Sequence, residues 1–143
     1  MRDTNRGSTE GATLLVEGAA ATAIDLHASG RACVVRSLPE AARCRPGDVL
    51  VTVGVDADWM SLLRQAAAVV TDLGDRYGRV AALCRRLGVP AVVGTGNATA
   101  AIPNGWMVTV SCTGGAGRVF ACRPERRRRV ASTGGPGPRA AAG

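Results

Sequence analysis

The sequence contains no lysine, so all 18 basic side chains among its 143 residues are arginines. Aromatic residues are nearly as scarce, at 3%, and comprise Trp59, Tyr77, Trp106 and Phe120. A single-strand nucleic-acid surface needs stacking rings interleaved with a basic groove, and four rings do not furnish one. The formal net charge of +7 does not restore that reading, because it is unevenly placed. Residues 1–122 hold 12 Arg against 10 Asp and Glu, a balance of +2, whereas residues 123–143 hold six Arg and one Glu, a balance of +5. GC-rich coding bias explains an arginine, alanine and glycine vocabulary more simply than phosphate recognition does. Arg126–Arg129 could attract nucleic acid or an acidic partner non-specifically, but a solvated tail is the preferred account.

Histidine occurs once, as His27, and cysteine five times, at 33, 44, 84, 112 and 122. The cysteines form no CxxC pair and have no histidine near them, so neither a metal site nor a disulfide framework is expected. No apolar run is long enough for a secretory signal or a membrane span. These absences predict a cytoplasmic protein with reduced thiols and no membrane partner. Asn97-Ala98-Thr99 matches a glycosylation sequon, but the expected role is a turn with an Asx-type hydrogen bond.

What is present is a 46% hydrophobic chain, enough to bury the core of one domain. Residues 1–12 are expected to be disordered, residues 13–122 to form the domain, and residues 123–143 to be a disordered basic tail. Thr13–Val16 reads as a first strand and Arg31–Arg36 as a half-buried second. Ser37 followed by Glu40 makes a capping box for a short helix through Ala42. Arg45-Pro46-Gly47-Asp48 is a turn, and Val49–Thr52 a continuous apolar strand. Asp58 is expected to cap a helix from Trp59 to about Ala67. Near the end, Asn104-Gly105 marks a turn, with strands at Met107–Val110 and Arg118–Ala121 around a glycine-rich loop.

Val69–Thr99, VVTDLGDRYGRVAALCRRLGVPAVVGTGNAT, organises the rest. Ala68–Thr71 is a β-branched run, and Asp72–Gly78 breaks it with two glycines. From Arg79 the apolar residues Val80, Leu83, Cys84 and Leu87 recur at helical spacing until Gly88 and Pro90 stop the helix. Ala91–Val93 is the next strand. A helix that begins just after a glycine turn directs unpaired amides and a partial positive charge at what lies before it, and phosphate is the usual guest. Strands and helices mix throughout, which predicts an α/β class with six or seven short strands and about three helices.

Four segments carry a family resemblance: RPGDVLVT at 45–52, DADWM at 56–60, RRLGVPAVVGTGNAT at 85–99 and NGWMVTVSCTGG at 104–115. Between about Gly30 and Phe120 the chain resembles the mobile, phosphohistidine-bearing domain of phosphoenolpyruvate-utilising enzymes, most closely that of phosphoenolpyruvate synthase. The resemblance implies a swivelling β/β/α three-layer domain that carries phosphate on a histidine between an ATP-grasp domain and a phosphoenolpyruvate barrel. ATP, phosphoenolpyruvate and magnesium would bind those other domains or proteins, and no cofactor would bind this chain, which is too short to hold either of them.

In the family the central segment reads like TDxGGxxxHAAIxxRELGxPAVVG. Aligning Thr71-Asp72 with Gly88-Val89-Pro90 puts Arg79 where the phosphorylated histidine stands. A guanidinium stays protonated and has no free lone pair to attack phosphorus. Asp75 replaces the second glycine, Gly78 replaces a small cysteine, serine or threonine, and Val80 replaces an alanine. Val55 stands for a threonine, and Asp25-Leu26 for a proline-glycine pair. No intact catalytic residue is therefore expected, and the phosphate-site neighbours implied by the resemblance are Asp72, Gly74, Asp75 and Gly78. The favoured expectation is a stand-alone mobile domain that is inactive as a phosphoryl carrier, a pseudoenzyme within a phosphotransferase family. The alternative is a phosphoryl-transfer subunit of a split synthase-like or dikinase-like enzyme. His27 is read as an incidental loop residue, Cys84 as a buried structural thiol, Asp56 and Asp58 as polar or capping residues, and Gly94, Gly96 and Asn97 as a strand exit.

Overall fold

The computed structural model describes residues 13–22 and 25–122. The disorder expected for 1–12 and 123–143 concerns residues outside these. Seven strands run in the order β1 (Thr13–Ala20), β2 (Leu26–Val34), β3 (Val49–Thr52), β4 (Ala68–Thr71), β5 (Ala91–Val93), β6 (Met107–Thr113) and β7 (Ala116–Ala121). Three α-helices, α1 (Met60–Gln65), α2 (Arg79–Leu87) and α3 (Ala98–Ala101), join them, with 3-10 helices at Pro39–Arg43 and Ala57–Trp59. The α/β class is therefore as the sequence predicts.

The strands close into a barrel in the order β1-β5-β4-β3-β2-β6-β7. β2, β3, β4 and β5 are successively parallel, while β1–β5, β2–β6 and β6–β7 are antiparallel. Every residue of β3, β4 and β5 is buried. Strands covered on both faces need apolar side chains at consecutive positions, which is why VLVT, AVVT and AVV show no alternation. One face, with Val49, Val51, Val70 and Val92, packs against Val108, Val110 and Val119 of β6 and β7. The other, with Leu50, Val69 and Ala91, packs against Leu63 of α1 and Ala81 and Cys84 of α2. These two cores make the β/β/α layering. β6 has only one covered face, so its burial alternates residue by residue.

Several local expectations need correction. β2 begins at Leu26, so His27 is on a strand, opposite Ser111 of β6, and not in a loop. The cross-strand pairing supplies what the Ala-Ser-Gly sequence hides. The segment after Ser37 is a 3-10 helix, and its capping box forms in half: Ser37 Oγ accepts the Glu40 N–H at 3.4 Å, whereas Glu40 Oε1 accepts the Arg36 N–H at 2.7 Å and not that of Ser37. Asp58 does not cap α1, whose N-cap is Trp59 without a side-chain bond; Asp56 Oδ1 instead accepts the Asp58 N–H at 3.0 Å. α1 ends at Gln65 because the Ala67 N–H turns to the Asp48 carbonyl to begin β4.

The expectation of unpaired thiols also fails at one place. Cys33 of β2 and Cys44, which ends the first 3-10 helix, form a disulfide with their Cα atoms 5.7 Å apart. Sequence spacing gave no framework, but the Pro39–Arg43 turn folds the chain back onto the strand it left. No helix among the described residues is long and apolar enough to cross a membrane.

Candidate functional site

The parallel order β3-β4-β5 leaves the turn after β4 at the carboxyl edge of the sheet, between the turns after β3 and β5. The Asp72 and Leu73 N–H groups bond to the Thr52 and Val53 carbonyls. From the other side, Gly94, Thr95 and Gly96 donate their N–H groups to the carbonyls of Leu73, Thr71 and Asp72, at 2.9–3.2 Å. Both turns need glycine. Gly74 and Gly94 have φ of +103° and +70°, which other residues rarely adopt. A Cβ on Gly94 would lie 2.6 Å from the Gly74 carbonyl oxygen.

Polar side chains then lock the two turns together. The Thr71 hydroxyl donates to the Leu73 carbonyl at 2.7 Å, and that of Thr95 donates to the Thr71 carbonyl at 3.1 Å. Asp72 reaches across to α3, where Thr99 donates its N–H to Oδ1 at 2.9 Å and its hydroxyl to Oδ2 at 2.7 Å. The N-terminal amide of α3 at Ala98 is taken by Thr95 Oγ1 at 3.1 Å, so the side-chain acceptor is Thr95 and not the Asn97 expected from an Asx turn.

Asp75 folds back on its own loop. Its Oδ1 accepts the Tyr77 N–H at 2.9 Å, and its carbonyl accepts the Gly78 N–H at 3.0 Å. Gly78 is the N-cap of α2, in extended conformation and with no side chain to offer its first turn. The helix thus begins as the sequence predicts, at Arg79, and ends at Gly88 with φ of +73°. Its first-turn amides and dipole face outward without a side-chain cap.

Arg79 opens that helix as an exposed side chain and makes no hydrogen bond or ion pair among the described residues. Its positive charge lies at an anion-favouring terminus, and the turn 72–78 before it contains no histidine. His27 makes no side-chain bond to the turn 72–78. Cys84 is wholly buried on the inner face of α2, and burial pushes its thiol up to about 11, which leaves it protonated and unreactive at neutral pH.

Two residues that sequence spacing did not single out complete the site's frame. Arg85 Nη1 donates to the Ala21 carbonyl at 2.8 Å and to the Arg76 carbonyl at 2.9 Å. Arg76 Nη2 donates to the Gly115 carbonyl at 2.9 Å. Helical spacing puts Arg85 about two turns below Arg79, yet only the folded loop shows that it braces the turn before its own helix. The structure therefore brings Asp72, Gly74, Asp75, Gly78 and Arg79 into one turn. Asp72 and Asp75 each have hydrogen bonds within the protein. Asp56, Asp58 and His27 make no hydrogen bond or ion pair with that turn.

Residues 44–115 match the family model of the PEP-utilising enzyme, mobile domain. Among curated proteins the chain is 47% identical over 91 residues to a phosphoenolpyruvate synthase of Aquifex aeolicus, covering 64% of this chain and 11% of that protein. It is 42% identical over 106 residues to a phosphoenolpyruvate synthase of Pseudomonas aeruginosa, covering 74% of this chain and 13% of that protein. The chain thus spans little more than a tenth of the length of these relatives. Among solved structures, muramoyltetrapeptide carboxypeptidase from Oxalobacter formigenes superposes with a TM-score of 0.52 at 15% identity, over 84% of this chain and 53% of that one, a likeness of fold alone.

Proposed function

The chain belongs to the family of mobile domains of phosphoenolpyruvate-utilising enzymes, and from that premise we propose that it is a mobile domain inactive as a phosphoryl carrier. The carrying observation is Arg79 as first residue of α2. A phosphoryl carrier needs a lone pair at the place where helix amides can stabilise incoming charge, and an arginine there supplies only further positive charge. Asp75 supports the reading, because its carboxylate occupies the loop immediately before the helix and repels an arriving phosphate.

The domain in this reading keeps a docking role toward an ATP-grasp domain and a phosphoenolpyruvate barrel, on other domains or other proteins. ATP, phosphoenolpyruvate and magnesium bind those partners and not this chain. A cytoplasmic setting goes with this reading.

The experiment supplies labelled phosphoenolpyruvate or ATP, with a phosphoenolpyruvate synthase deprived of its own mobile domain, to the purified chain. No acid-labile label on this chain is expected. Stoichiometric acid-labile label on the unaltered sequence overturns the proposal and favours a phosphoryl-transfer subunit with a different acceptor.

A further inference from the structure

Of the five cysteines, Cys84 and Cys112 are buried, and burial raises both thiols above their ordinary value. Cys33 and Cys44 differ from them in two ways. They face each other across the only long excursion between β2 and β3, with Cα atoms 5.7 Å apart, a separation within the range a disulfide tolerates. One of them can also be reached. Cys33 is 3% exposed, whereas Cys44 is half-buried and lines a small surface recess with Arg45, Asp48, Leu62 and Gln65.

The surroundings suit thiol exchange. Arg43 and Arg45 flank Cys44 in sequence, and Arg43 Nη2 donates to the carbonyl of Val34, the residue after Cys33, at 2.8 Å, which holds the two sides of the pair together. Asp48, the acidic residue of the recess, already accepts from the Arg31 guanidinium at 3.1 Å and the Arg45 N–H at 3.0 Å. Its charge is thus largely compensated. The segment closed by the disulfide also reaches the site edge of the barrel, since Arg36 Nη2 donates to the Thr99 carbonyl at 3.4 Å, on the residue that Asp72 grips.

We propose that Cys33 and Cys44 are a reversible thiol-oxidation site that fastens the 35–44 segment to β2. A small-molecule disulfide is the oxidant. The Cys44 thiolate attacks one of its sulfurs, that S–S bond breaks, and one thiolate leaves and takes up a proton. The Cys33 thiolate then attacks the Cys44 sulfur of the mixed disulfide and expels the second thiol. Two electrons pass from the protein to the small disulfide, and two protons move from the cysteines to the two released thiols. A dithiol reverses both steps. The site operates whether or not residue 79 accepts phosphate.

The test equilibrates the whole chain with glutathione and glutathione disulfide at varied ratios, quenches in acid, alkylates after denaturation and maps the products by mass spectrometry. The expected result is loss of two alkylatable thiols in the oxidised sample, with Cys33 and Cys44 linked in one peptide and regained on adding dithiothreitol under native conditions. Oxidation should raise Tm by about 10 °C for so short a loop and slow hydrogen exchange across 35–44. Cys44→Ser, altered on the accessible side, should remove both responses while remaining folded. Five alkylatable thiols at every ratio, a linkage through another cysteine, or a native pair that dithiothreitol leaves intact would each overturn the proposal.

Discussion

Thr99 gives both its backbone N–H and its hydroxyl to the carboxylate of Asp72, at 2.9 and 2.7 Å, so the acidic residue of the TDLG turn serves as a strut to α3. Replacing Asp72 with Ala should cost about 2–3 kcal/mol, because two bonds to a charged acceptor go and the α3 amide loses its partner. Asp72→Asn, which retains one acceptor oxygen, should lose about half of that. Urea denaturation of the two variants checks the ranking, and equal losses would show that the acceptor retained in Asp72→Asn contributes nothing.

Gly94 lies where two turns touch. Its φ of +70° and the 2.6 Å approach of a would-be Cβ to the Gly74 carbonyl predict that Gly94→Ala destabilises by about 3 kcal/mol or more. Gly105→Ala also has positive φ but meets no atom within 4 Å, so it should cost only about 1–2 kcal/mol. The difference between the two melting curves isolates the clash from the backbone strain.

On the proposed function, a histidine placed at residue 79 should confer part of the carrier chemistry. In the labelling assay, Arg79→His combined with Asp75→Gly is expected to take up acid-labile phosphate, and Arg79→His alone to take up less, because the Asp75 carboxylate stays before the helix. A well-folded double variant that never labels would count against placing residue 79 at the acceptor position.

Arg85 holds two carbonyls, those of Ala21 and Arg76, with one nitrogen. A lysine keeps the charge but not the planar fork. Arg85→Lys should therefore lower stability by about 1–2 kcal/mol and speed hydrogen exchange in residues 72–78 more than in β3. Uniform acceleration would mean that the loop is braced elsewhere.

Cys84 gives a pH signature. Its thiol is raised from 9.0 to about 11 by desolvation in the folded state, so the native protein holds that proton where the unfolded chain has released it. Stability from this group is complete below pH 9 and is lost as pH rises toward 11, to the order of 2–3 kcal/mol. Cys84→Ala should lower stability at neutral pH through its cavity, and flatten the decline between pH 9 and 11. An unchanged slope would assign the alkaline loss to other groups.

The sequence by itself determined the elements whose cause is local. Val49–Thr52, Ala68–Thr71 and Ala91–Val93 carry unbroken apolar runs because both of their faces are covered, and α2 is bounded by glycine at either end. The start of α2 at Arg79 is equally local, since it follows from the glycine before it and the helical spacing of the apolar residues after it. Contacts between distant segments decided the rest. Alanine and glycine gave β2 no periodicity before Gly30, and its extension back to Leu26 comes from pairing with β6. The Asp72–Thr99 strut, the Arg85 brace and the Cys33–Cys44 bond each join residues whose meeting depends on strand order and loop path. Tertiary structure alone decided those, because a hydrogen bond or disulfide is specified by where two atoms end up in space, which spacing along a chain does not encode.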